Sequence, residues 1–197
     1  MLNTPFSQLV KSRRSIRKFQ DKRVEREKIQ ECVEAARLAP SAENVQPWRF
    51  LIVDDEEIKT RLGKLAFHGI YSPTKWAVNA PAIVILLAKL DILANRIGKQ
   101  IQGTNYYLID IGIAGEHFVL QAQELGLGTC WIGWFNERGV RKALKIPKKY
   151  KIVQLMVLGY PLKTDLKIKN KLTLDQILWF NHITLKNVGD SILKNSY

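Results

Sequence analysis

The stretch APAIVILLAK, residues 80–89, contains the longest apolar run in the chain, from Ala80 to Ala88, closed off by Lys89 and Asp91. Such a run cannot span a bilayer, which takes about 20 apolar residues as a helix. A short apolar run rich in Ile, Val and Leu reads instead as a buried strand. Its backbone N–H and C=O groups then need neighbouring strands, so the rest of the chain has to supply a sheet and elements to cover it.

The chain has the means. Its 197 residues are 46% hydrophobic, enough for one domain with its own core. Cys32 and Cys130 have no CxxC spacing and cannot form a disulfide framework, which suits a reducing, cytoplasmic setting. The N-terminus MLNTPFSQLV lacks the apolar core of a signal peptide, and no membrane partner is expected. No repeat or Pro/Gly/Ser linker divides the sequence, so residues 1–197 read as a single domain.

Periodicity gives the expected elements. Pro5 to Lys11 reads as a short helix. Glu25 to Leu38 places Ile29, Cys32, Val33 and Ala36 on one face and stops at Pro40. Trp48 to Val53 reads as a strand, Asp55 to Ala66 as a helix with Asp54 as its cap, and Ala82 to Ala88 as the buried strand. Tyr106 to Leu125 is a long apolar helix in which Gly112, Ala114 and Gly115 allow close packing. Thr129 to Ile132 and Ile152 to Leu158 read as strands, and Asn136 to Leu144 as a helix capped by Asn136. Leu174 to Phe180 is expected to form a last helix, followed by an apolar tail to Tyr197 that would pack on something, such as a partner chain.

The formal net charge is +13, which makes nucleic acid a legitimate suspect. From Arg138 to Lys171 there are eleven Lys or Arg and one acid, Asp165. No nucleic-acid-binding motif accompanies that excess, and it reads equally as solvated surface. There is no GxSxG and no HExxH, and His68, His117 and His182 lack metal-ligand spacing. GLGTCWIG follows a helix and precedes a strand, the wrong order for a dinucleotide fingerprint.

Three segments carry candidate chemistry. SRRSIRKF, Ser12 to Phe19, concentrates Arg13, Arg14, Arg17 and Lys18. Guanidinium groups with a nearby hydroxyl suit a phosphate, and an exposed basic turn is the alternative. APSAENVQPWRF, Ala39 to Phe50, offers Ser41, Asn44 and Gln46, neutral partners for a heteroaromatic ring, or a polar connection stiffened by Pro40 and Pro47. ELGLGTCWIGWF, Glu124 to Phe135, has Gly126 to end a helix and Gly128 and Gly133, which would let backbone approach a ligand or simply form a core turn. Phe67, His68, Tyr71 and Trp76 lie in a segment that would border a pocket or pack the domain.

Taken in order, RRSIRKF, PSAENVQPWRF, DIGIAGEHFVLQAQELGLGTCWIG and VLGYP resemble the FMN-dependent nitroreductase family from about Ser12 to Pro161. The resemblance implies an α+β fold, with a central mixed or antiparallel sheet flanked by helices. It implies a homodimer with FMN at the interface and an exchanged C-terminal segment, here about residues 174–197. It further implies hydride transfer from NADH or NADPH through FMN to a nitroaromatic, quinone or related small-molecule acceptor. Carried over by position, Arg13 and Ser15 would hold the phosphate and Arg14 would offer backbone to the ring. Arg17 would sit near the pyrimidine edge, where a cation favours the charge that hydride brings. Lys18 would be solvated. Ser41 and Asn44, with Pro40 and Gln46, would come from the other subunit. The backbone of Ile132 and Gly133 would face N5 and O4, with Cys130 and Trp131 packed along that face. Where the family commonly has an Arg after GYP, this chain has KTDLKIKNK, and Lys169 and Lys171 would complete the phosphate grip. The implied chemistry needs no catalytic side chain and no metal. Two rival readings are a flavin-binding protein of this fold with another flavin reaction or no turnover, and a basic nucleic-acid-binding domain.

Overall fold

The apolar run is a strand, Ala82–Lys89, and it lies inside the sheet, buried along nearly its whole length. The computed structural model describes residues 3–90, 103–163 and 170–183. They fall into two units, Met1–Thr164 and Asp165–Tyr197, each described by itself. The first unit runs α1 (Pro5–Ser12), α2 (Arg26–Arg37), a 3₁₀ turn (Ala42–Asn44), β1 (Trp48–Val53), α3 (Glu56–Ala66), a 3₁₀ segment (Gly69–Asn79) and β2 (Ala82–Lys89). It continues with α4 (Tyr106–Glu124), β3 (Gly128–Ile132), α5 (Glu137–Leu144) and β4 (Tyr150–Gly159).

The four strands pair antiparallel in the order β1-β2-β4-β3. Alternation along β2 then decides the layers. Val84, Leu86 and Ala88 join Ile29, Cys32 and Ala36 of α2 and Ala114, Phe118 and Ala122 of α4 in one core. Ile83, Ile85 and Leu87 join Leu62 and Ala66 of α3 and Val140 and Ala143 of α5 in the other. Both faces of the strand are therefore covered, which is why it reads as a continuous apolar run rather than an alternating one. Between β2 and β4, Leu86 faces Gln154 while Leu87 faces Ile152. Val153 is left as the extra residue of a bulge.

The helix ends follow local chemistry. Thr4 caps α1 by accepting the Ser7 N–H, and Asn136 caps α5 by accepting the Gly139 N–H, as expected for Asn136. The cap of α3 is Asp55 rather than Asp54: Asp55 Oδ1 accepts the Ile58 N–H at 2.9 Å. Asp54 instead pairs with Arg26 at 3.1 Å. Gly126 follows α4 at φ +74°, a left-handed turn that suits glycine. Gly115 gives the close packing expected of it, since a Cβ there would lie 2.2 Å from the Trp131 ring. Gly112 does not, because a Cβ there would meet nothing within 4 Å.

In the second unit the expected helix Leu174–Phe180 shortens to one 3₁₀ turn, Leu174–Gln176, with a reciprocal Thr173–Gln176 capping box. Ile177, Leu178 and Phe180 stay exposed, so no buried face sustains a helix this short. The tail beyond residue 183, expected to reach a partner, lies outside the described residues.

Candidate functional site

Arg13 ends α1, donating its N–H to Leu9 O at 3.1 Å, and its ψ of 132° turns the chain into an extended strap. The strap runs beside β3. Ser15 bridges Thr129 in parallel, and Ile16 N–H donates to Thr129 O at 2.8 Å. Farther on, Leu162 N–H donates to Lys18 O and Gln20 N–H to Tyr160 O. The first and third sequence segments, more than a hundred residues apart, are thus neighbours. Gly128 makes that possible. A Cβ there would stand 2.5 Å from Ile16 Cγ1, so this glycine admits the strap rather than a ligand, and of its two sequence readings the packed core position is the one the structure favours.

None of Arg13, Arg14, Arg17 and Lys18 forms an ion pair among the described residues. Arg14 folds back on the end of α1, with Nη1 donating to Lys11 O and Arg13 O, a favourable place for a cation. Its Nε is buried with no hydrogen-bond partner among the described residues. Arg17 is exposed, with its guanidinium carbon 5.9 Å from the centroid of the Trp76 ring.

The Ser41–Gln46 loop is built differently. Glu43, Asn44 and Gln46 have φ of 51°, 54° and 49°. Left-handed backbone costs an L-residue roughly 1–2 kcal/mol, less for Asn. Internal bonds hold the shape: Gln46 N–H donates to Ser41 Oγ, and Gln46 Nε2 donates to Asn44 O and Oδ1. With those bonds made, Ser41 keeps its hydroxyl proton to donate, Asn44 keeps its NH₂, and Gln46 keeps its Oε1 as acceptor. Pro40 is exposed just ahead of this row. The loop rests on α4, where Asp110 Oδ1 accepts the Ala42 N–H at 3.1 Å. Burial pushes the Asp110 carboxyl above its usual range, and its Oδ2 has no partner among the described residues.

In β3 the side chains alternate. Cys130 and Ile132 enter the core against α3 and α5, while Trp131 packs on the opposite side against α4. Their side chains therefore do not share one face, contrary to the sequence reading. The Cys130 and Ile132 side chains are buried, which leaves their backbone to offer, and Gly133 is exposed. The Cys32 thiol is buried and pushed up to about 12 by desolvation, inert core as expected.

Beyond Gly133, Trp134 is fastened to the 3₁₀ segment. Its indole N–H donates to Ile70 O at 2.6 Å, and Thr74 Oγ1 donates to Trp134 O at 2.7 Å. The Tyr71 and Trp134 rings lie 5.4 Å apart. Trp134 and Thr74 were not foreseen: Trp134 lies in the third segment without being singled out, and Thr74 belongs to no motif. Asp110 was missed too, though a lone acid inside the apolar stretch YYLIDIGIAG is a legible signal. Behind the strap, Tyr160 donates to Glu25 at 2.6 Å and accepts from Lys28 at 2.9 Å. That hydroxyl is the main cause holding Glu25 down at about 2. Lys171 is exposed in the second unit, and Lys169 lies outside the described residues.

A sequence description of the nitroreductase family matches residues 10–160. A nitroreductase family protein of Clostridium novyi NT is 35% identical, with a TM-score of 0.70 over 80% of this chain and 87% of that one. An FMN-dependent nitroreductase of Clostridium difficile R20291 is 31% identical, with a TM-score of 0.68 over 89% of this chain and 98% of that one. An NADH dehydrogenase of Thermus thermophilus is 31% identical over 76% of this chain and 83% of its own length.

Proposed function

The chain belongs to the nitroreductase family and is an NAD(P)H-dependent FMN oxidoreductase, and from that premise we propose a homodimer that reduces small aromatic acceptors at a shared site. The observation that carries this reading is the Ile16–Thr129 hydrogen bond, which fastens to the start of β3 a strap whose cations form no ion pair among the described residues. Bound FMN supplies the redox centre, taking hydride from NADH or NADPH and passing it to a nitroaromatic, quinone or related acceptor by a ping-pong sequence.

The residues fit such a group. An anionic phosphate suits a strap whose cations have no acid partner, and whose buried Arg14 Nε has no acceptor, among the described residues. Arg13 and Ser15 hold the phosphate. Arg17 supplies positive charge to the ring's pyrimidine edge. Ile132 and Gly133 orient the ring through backbone N–H groups. Ser41, Asn44 and Gln46, following Pro40, serve the ring of the partner protomer with two donors and one acceptor. No proton-transferring side chain is required, since positioning and fixed charge suffice for hydride transfer.

The dimer is supported by apolar side chains left uncovered. Phe6 and Val10 on α1 and Leu108 and Ile109 on α4 are exposed, and α1 and α4 are in contact. A patch of this kind marks an interaction surface. The chain is read as one domain whose C-terminal segment reaches the partner. Among the described residues no helix is long and apolar enough to cross a membrane.

Purified protein should be yellow and bleach when NADPH is added without oxygen. Colourless protein that FMN fails to reconstitute would remove the reading.

A further inference from the structure

Asp110 is buried, at 3% exposure, among the apolar residues of α4. A buried carboxylate stabilises a fold only when its oxygens are well paired. Here one oxygen accepts a single neutral amide and the other has no partner among the described residues. Burial raises its pKa, the mark of a charge held where it costs the fold. As a device for stability alone, the residue is a poor choice.

The amide it holds belongs to Ala42, in the turn with the most left-handed non-glycine residues among those described. Three of the four residues from Glu43 to Gln46 are left-handed without being glycine. The bonds among Ser41, Asn44 and Gln46 fix the loop's shape but not its seat. The adjoining β1 adds one bond, Arg49 Nη1 donating to Gln46 O at 3.1 Å, and among the described residues Asp110 is the side chain from a distant element that bonds to it. Strain that persists against such odds is typical of ligand-holding segments.

We propose that Asp110 is a positioning residue for the cofactor-facing loop: through the Ala42 N–H it seats Ser41–Gln46 so that the Ser41 hydroxyl, Asn44 amide and Gln46 carbonyl meet the flavin. This rests on the flavoenzyme reading, which names the loop's ligand. The cost of the half-paired carboxyl is accepted for geometry, so stability and cofactor affinity should respond to its removal in different directions.

The test compares wild type, Asp110→Ala and Asp110→Asn as apo-protein, measuring FMN affinity by flavin fluorescence, Tm, and hydrogen exchange at the Ala42 and Gln46 amides. In Asp110→Ala, FMN binding should weaken about tenfold or more, both amides should exchange faster, and Tm should stay level or rise. Asp110→Asn keeps an oxygen for the Ala42 N–H, so its affinity should return to within about threefold of wild type. Unchanged affinity and exchange in Asp110→Ala would overturn the proposal, and so would a drop in Tm with affinity intact. If Asp110→Ala does not fold, failure of Asp110→Asn to keep affinity and amide protection overturns it. If wild type binds no FMN, the flavoenzyme reading falls, while amide exchange still reads whether Asp110 seats the loop.

Discussion

The Arg13–Lys18 strap and the Ser41–Gln46 loop present polar groups by opposite means. The strap has ordinary backbone angles and is pinned from outside, by Thr129, Tyr160 and Leu162 and by Ile16 seated over Gly128. The loop is strained within itself and tethered to α4 through one half-paired carboxyl. Charge is thus carried by a segment the sheet positions, and neutral hydrogen-bonding groups by a segment that stores strain. Long cationic side chains tolerate an approximate backbone position, because their own torsions take up the slack. Short Ser and Asn side chains do not, so the backbone beneath them has to be shaped.

The largest effect should come from filling the seat of the strap. In Gly128→Val the new Cβ meets a β-branched neighbour at 2.5 Å, and stability should fall by about 1–3 kcal/mol with loss of FMN binding. Denaturant unfolding and a flavin titration check both. If binding survives, the strap does not depend on the sheet. Arg13→Ala should come next, weakening FMN about ten- to hundredfold while unfolding stability stays within about 0.5 kcal/mol. A stability loss with unchanged affinity would make that cation structural.

The loop should answer with the opposite sign. Glu43 is exposed at φ 51°. Glu43→Gly relieves left-handed strain but loosens the unfolded chain, for a net gain of up to about 1 kcal/mol in apo-protein stability. FMN affinity should not improve alongside. A loss of stability would mean the loop is not strained, and the contrast between the two regions would fail.

The smallest effect concerns pH. Glu25 is held at about 2 against its usual 4.5, chiefly by the Tyr160 hydroxyl. A lowered folded value stabilises above the usual pKa and is lost as pH falls. The stability difference between wild type and Tyr160→Phe should therefore be full above pH 4.5 and vanish toward about 2. Solvent exposure of the pair keeps it small. Asp110 acts with the other sign: its raised value favours folding only while protonated, and that support fades as pH rises above the usual 3.8. Stability curves from pH 2 to 6 separate the two, since Asp110→Asn should flatten only the second slope.

Much of the frame was legible. Every strand among the described residues was found within two residues at each end, because apolar runs of four to eight residues between turn signals leave few alternatives. Asn136 was recognised as a cap, whereas Asp54 and Asp55 carry the same carboxyl, and only the turn's geometry chose Asp55. The candidate site was legible through the order of its motifs, which identified the strap, the loop and the β3 turn. Gly128 was left between ligand approach and core packing because a glycine's neighbour is invisible until the chain folds, and Cys130 and Trp131 were read together although strand alternation parts them. The last helix was expected from composition, but a helix so short needs a face to pack on.

By itself, then, the sequence determined which residues are polar or apolar and at what period, and so the strands, most helices, and the family with its cofactor. Those properties are local, repeated over many positions, and robust to single exceptions. Only the tertiary structure decided that Ile16 lies in the space of Gly128, that Arg14 has a buried nitrogen with no acceptor among the described residues, and that Asp110 holds a strained turn 68 residues away. Each depends on one contact between distant segments, and a single contact leaves no periodic trace in the chain that makes it.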